Sequence, residues 1–147
     1  MLFKRLIISG LFILLASTNG ESLVNYYSEW KYFEGRTEPS IPQTAWKQLN
    51  FDDSDWKSGP SGFSVGFGSY NAPTKLQGMP GEYSSVYLRK VFDIDDIDWI
   101  KSLILRVDYD DGFVAYINGK EVVRRGLEGE TNKHVPFNSL ATLHQRG

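Results

Sequence analysis

The sequence predicts an all-β fold, an antiparallel β-sandwich, on three observations. Residues 103–125 (LILRVDYDDGFVAYINGKEVVRR) carry two hairpin signals, Asp111-Gly112 and Asn118-Gly119, between three runs rich in β-branched, aromatic and aliphatic residues. Asn-Gly and Asp-Gly suit two-residue hairpin loops because both central positions need positive φ. Second, no segment after residue 20 sustains the 3.6-residue apolar period of an amphipathic helix. Third, short apolar runs alternate with Gly, Pro and Asp turn signals, the pattern of a sandwich or barrel.

The elements follow in chain order. Residues 1–20 read as a secretory signal peptide. Lys4 and Arg5 form the positive n-region, residues 6–15 (LIISGLFILL) the apolar stretch, and Thr18 and Gly20 fit the −3 and −1 cleavage positions. The apolar run is shorter than the ~20 residues a membrane span needs. The chain is therefore expected to be exported, to a periplasmic, cell-surface or extracellular location, with no membrane span after signal cleavage. With no cysteine to lipidate, a lipoprotein signal is excluded.

Residues 21–147 are expected to form one module. Residues 30–33 (WKYF) predict its first strand, and residues 35–44 a polar, Pro-bearing connector. In residues 46–56 (WKQLNFDDSDW), the run Asp52, Asp53, Ser54 and Asp55 favours a turn or a single helical turn, through side-chain to backbone bonds. Residues 59–81 hold six glycines and three prolines and predict a loop wrapping the sandwich edge. Residues 85–92 (SVYLRKVF) predict the next strand, residues 93–99 an acidic crossover, and residues 103–125 a three-stranded meander. A polar loop follows at 126–133, and a further segment starts at Val135.

Composition narrows the function. Net charge is −2 with 23% charged residues, so the basic stripe of a nucleic-acid reader is absent and no nucleic-acid partner is expected. With no cysteine, the fold has no disulfide, thiolate nucleophile or zinc–thiolate site, and core burial must hold it. Four Trp, eight Tyr and nine Phe supply that core. Trp30, Trp46, Trp56 and Trp99 are expected to be mostly buried, with at most one free to stack on a sugar. Tyr26 and Tyr27 read as linker or edge residues.

Catalysis finds little support. His134 and His144 stand in no metal-binding spacing, and there is no G-x-S-x-G elbow or phosphate-cradling loop that opens a helix. Asp52, Asp53 and Asp55 are spaced to approach a hard cation such as Ca²⁺, which takes about six to eight oxygens. A turn in which these carboxylates cap backbone N–H groups accounts for them better. Residues 93–98 lack the Gly and Glu of an EF-hand and read as a solvated crossover.

Taken in order, the motifs resemble a known type of module. They are Trp30-Lys31-Tyr32, W-x-x-L-x-F-D-D-S-D-W-x-S-G-P at 46–60, the Gly/Phe-rich stretch 62–68, residues 86–92 (VYLRKVF) and L-x-L-R-x-D-Y-D-D-G-F-V-A-Y-I-N-G-K-E-V. This order resembles the galactose-binding-domain-like jelly roll of modular secreted bacterial proteins, over most of residues 30–143. The resemblance implies a non-catalytic accessory module whose partner is carbohydrate or an adjacent catalytic domain. An Asp-Asp pair before a glycine also resembles the calcium and sugar loop of PA14-type domains. That implies a calcium site at Asp108, Asp110 and Asp111, with Asp110, Asp111 and Asn118 on a ligand. The hairpin turns explain the same residues without a ligand. Modules of this type end on one or two more strands, built around Gly-x-Asn-x-Leu/Ile-Ala, which do not follow Leu143. The expectation is thus a jelly roll missing its last strands. The alternatives are the N-terminal part of a secreted phosphoesterase or glycosidase, or a structural spacer.

Overall fold

The computed structural model describes residues 4–9, 17–18, 21–65, 72–79, 81–94, 98 and 102–142, with side chains described from residue 22 onward. The described residues form ten strands: β1 (Lys4–Ser9), β2 (Ser17–Thr18), β3 (Glu21–Ser22), β4 (Glu29–Glu34), β5 (Lys57–Pro60), β6 (Phe63–Ser64), β7 (Thr74–Lys75), β8 (Val86–Ile94), β9 (Phe113–Ile117) and β10 (Lys120–Arg125). The helical content among the described residues is one 3₁₀ turn, Ala45–Lys47. The protein is all-β, as its sequence predicts.

Six strands make the main sheet, in the order β10-β9-β1-β8-β4-β5, every neighbour antiparallel. Two short pairs flank it, β2–β3 antiparallel and β6–β7 parallel. The central strand β8 shows how the sheet is buried. Leu88, Phe92 and Ile94 point to one face and pack with Trp30 and Val24. Tyr87 points to the other and packs with Trp46, Trp56 and Tyr116. β8 thus buries side chains on both faces, with Arg89 buried beside Tyr87, while Val91 further along stays 39% exposed.

Residues 102–110 alternate without a break between half-buried and exposed positions. Leu103 and Leu105 pack on the Trp30 cluster, while Leu105, Val107 and Tyr109 pack on Phe113 and Ala115. The segment therefore lies over the same face as Leu88 and Phe113, outside every described ladder. The opposite face is closed by residues 44–56 and by Phe137.

This corrects the predicted meander. Asn118-Gly119 does form the two-residue hairpin, with φ of 49° and 80° and Ile117 opposite Lys120. Asp111-Gly112 does not, because residues 103–109 are not paired with β9. Gly112 meets a different need. A Cβ there would lie 2.9 Å from the carbonyl oxygens of both Arg125 and Gly126, and 2.9 Å from Ala141 Cβ. The glycine permits a backbone crossing, not a turn.

Strand β1 lies in the segment read as a leader, and it is the third strand of the sheet. Its pairing with β8 runs from Lys4↔Ile94 to Ile8↔Lys90, and with β9 it pairs Ile8↔Ile117 and Ser9↔Tyr116. Nothing in the sequence pattern places it there.

Candidate functional site

Because β1 is antiparallel to both β8 and β9, those two strands run in the same direction and start at the same end of the sheet. Their first residues, Val86 and Tyr87 on β8 and Phe113 and Val114 on β9, line a pocket of about 160 Å³. Asp110 and Gly112 close it from the segment entering β9, and Trp46 and Lys47 from the 3₁₀ turn. His134 and Pro136 complete the rim.

Aromatic packing fixes the inner wall. The Trp46 ring meets Tyr87 edge-on at 4.8 Å and Tyr116 at 5.7 Å between centroids, and stacks on Trp56 at 6.4 Å. Trp46, Tyr87 and Tyr116 are all buried. Burial pushes the Tyr116 phenol up to about 12, helped by the nearby Glu121 carboxylate. Tyr87 is raised further by its burial and by Glu38. Both phenols are therefore neutral at ordinary pH and act as hydrogen-bonding groups, not anions.

The polar lining is mixed in charge. Lys47 Nζ sits 4.2 Å from the centre of the Tyr116 ring, a cation–π contact. Burial lowers its pKa, an effect that Glu121 opposes. His134 Nε2 lies 3.1 Å from Glu38 Oε1, which also accepts the Phe137 N–H at 3.2 Å. The Ser85 hydroxyl donates to the Phe137 carbonyl at 2.6 Å. The histidine is thus held by a carboxylate, and the neighbouring serine is committed to the backbone. His144 lies outside the described residues.

The 46–56 segment that carries Trp46 is anchored by a residue the sequence reading passed over. Arg89, 1% exposed in the middle of β8, donates to Asp53 Oδ2 at 2.7 Å, to the Gln48 carbonyl at 3.1 Å and to the Trp46 carbonyl. Its guanidinium also lies over the Phe51 ring. A buried guanidinium needs such partners, because an unpaired buried charge is costly. The Asp52 carboxylate accepts the Ser54 N–H at 3.0 Å. The acidic run thus acts as a turn cap and an ion-pair partner, the role favoured over calcium. The signal in the sequence was an arginine inside an apolar strand 36 residues from an Asp-Asp turn.

Of the residues proposed as ligands, Asp110 lines the pocket. Asp108 and Asp111 are exposed and lie outside its wall. Asn118 is in the β9–β10 turn, separated from Asp111 by the five-residue strand β9, about 17 Å of extended chain. The loops of Asp111 and Asn118 do not converge. Among the described residues, no group of three His, Cys, Asp or Glu side chains is placed to hold a metal ion. Trp30, Trp46 and Trp56 are buried, while Trp99 lies outside the described residues. Tyr26 and Tyr27 are exposed and pack edge-on against each other at 5.2 Å.

Compared with known proteins, the chain matches no family model, no curated protein and no solved structure. Among the described residues, no helix is long and apolar enough to cross a membrane.

Proposed function

We propose that this chain is a non-catalytic interaction module of an exported protein, of galactose-binding-like jelly-roll type, and that it takes a single sugar unit in the pocket at the start of β8 and β9. One observation carries the reading: the pocket combines an aromatic and aliphatic wall with a few polar groups of both signs, Asp110, Lys47 and His134. Sugars present apolar C–H faces to rings and hydroxyls to such polar groups. Binding pockets for larger ligands run to about 300–1,000 Å³, so the volume suits one small ring.

The test is a glycan array, followed by calorimetry on the full chain with and without Ca²⁺. Wild type is expected to bind a monosaccharide-terminated glycan, and Asp110→Asn to weaken that binding about tenfold, equivalent to one lost charge-assisted hydrogen bond of roughly 1.4 kcal/mol. No binding by the folded chain in either condition sinks the reading. A requirement for Ca²⁺ that Asp110→Asn abolishes would place the ion at the pocket.

A further inference from the structure

Lys47 lines the pocket and is 7% exposed. Among the described residues it makes no hydrogen bond and no ion pair; its close partner is the Tyr116 ring. Lysine is seldom buried without an anionic partner. A ring face returns only part of what an ammonium loses on leaving water. The nearby carboxylate that acts on its charge is Glu121. That carboxylate is spent elsewhere: both oxygens accept from Arg124, and one also accepts the Asn132 N–H at 2.7 Å. Asp110 and His134 share the pocket lining, and neither forms an ion pair with Lys47.

The lysine is also held in place. Arg89 donates to the carbonyls of Trp46 and Gln48, the residues on either side of it. Trp46 is wedged between Tyr87 and Tyr116. The backbone at Lys47 is therefore tied to β8 and packed on β9, and its ammonium stays at the pocket. Such a fixed, desolvated cation is worth more to an anion than a mobile surface lysine. His134 does not compete for that role, because its Nε2 already faces Glu38 at 3.1 Å.

We propose that the ligand of this pocket is an acidic sugar, a pyranose with one carboxylate or sulfate ester, and that its anionic group pairs with Lys47. One buried ammonium matches one negative charge. The apolar ring face lies on the aromatic and aliphatic wall, and the exposed Asp110 is left for hydroxyls. The preference is local in origin. The chain as a whole carries a net charge of −2 and does not attract anions. This inference rests on the reading of the pocket as a sugar site and adds the chemistry of its ligand.

The experiment is calorimetry on the full chain with the methyl glycosides of glucuronic and galacturonic acid, the methyl ester of each, and a glucose sulfate ester. Each ester keeps the ring and removes the charge. At least one acidic sugar is expected to bind about tenfold or more tighter than its neutral counterpart, the worth of one charge-assisted hydrogen bond. Binding of the sulfate ester with no binding of the uronic acids supports the proposal and names the anion. Neutral sugars that bind as tightly as the acidic ones overturn it and leave the sugar site standing. No binding by any of these sugars overturns both readings. Lys47→Met should lose about tenfold or more in affinity for the acidic sugar. Its thermal midpoint should hold or rise, because an unpaired buried charge is gone. A Lys47→Met chain that keeps the preference for the acid over its ester overturns the assignment to Lys47.

Discussion

Two Gly-containing dipeptides, seven residues apart on either side of β9, face opposite fates. Asn118-Gly119 folds as the turn its sequence announces, with both residues at positive φ and β9 paired to β10. Asp111-Gly112 carries an equally strong signal and makes no hairpin. The difference lies in what each glycine touches. Gly119 faces the Gln48 side chain, whose end can move. Gly112 faces the Arg125 and Gly126 carbonyls and Ala141, and the Thr142 N–H in turn donates to Gly126 O at 2.8 Å. One glycine serves a local conformation; the other serves a contact between segments distant in sequence.

The largest expected effect tests that contact. Gly112→Ala places a methyl 2.9 Å from two backbone oxygens that cannot swing aside. It should destabilise the chain by about 2–3 kcal/mol, the upper range of overpacking costs. Urea unfolding measures it, and an unchanged midpoint would mean that the crossing does not constrain the fold. Gly119→Ala should cost less, about 1–2 kcal/mol, the usual penalty for a non-glycine residue in the left-handed region. Its neighbour, the Gln48 side chain, is flexible and can yield. If Gly119→Ala proves the more damaging of the two, the contrast drawn between local and long-range glycines is reversed.

The smallest effect concerns the loop after the hairpin. Glu121 accepts from Arg124 through both oxygens, at 3.0 and 2.9 Å, and from the Asn132 N–H at 2.7 Å. Arg124 also donates to the Glu128 and Lys133 carbonyls. This network ties residues 128–133 to β10. The Arg124 guanidinium holds the Glu121 carboxyl below its ordinary value of 4.5, against the opposing effect of burial. A carboxyl whose pKa is lower folded than unfolded stabilises the fold fully above the unfolded value. That contribution fades as pH falls through the folded value. Amide protection in residues 128–133, taken relative to the intrinsic exchange rate at each pH, should therefore fall at pH values below about 4.5, with little change between pH 6 and 8. Glu121→Gln should show the low protection already at pH 7. Equal protection in that variant would show that the loop is held by other contacts.

The same contrast explains what could be read from the sequence. Strands β4, β8, β9 and β10 and the Asn118 turn were legible because each depends on local pattern: alternation, β-branched residues and a dipeptide suited to positive φ. The burial of Trp30, Trp46 and Trp56 followed from their size and the absence of disulfides. The partner of Asp53 was not legible, because Arg89 is brought to it across the sheet by β8. The pocket was half legible. Asp110 was singled out, but for a calcium loop with Asn118, whereas the strand length between them holds the two apart. Trp46, Tyr87 and Tyr116 converge only after three separate segments have packed.

By itself, then, the sequence determined the class of structure, four strands of the main sheet and the β9–β10 hairpin. These are settled within a few residues, by steric limits on φ and ψ and by side-chain periodicity. Tertiary structure decided that residues 103–109 cover a face in place of joining the sheet, and that Gly112 serves a crossing. It also decided that Lys4–Ile8 pair along β8 while Ile8 and Ser9 join β9 to the sheet. A strand's pairing partner depends on which backbone edges are left open and which faces are already buried. That information lies in the assembled neighbours, not in the strand's own residues.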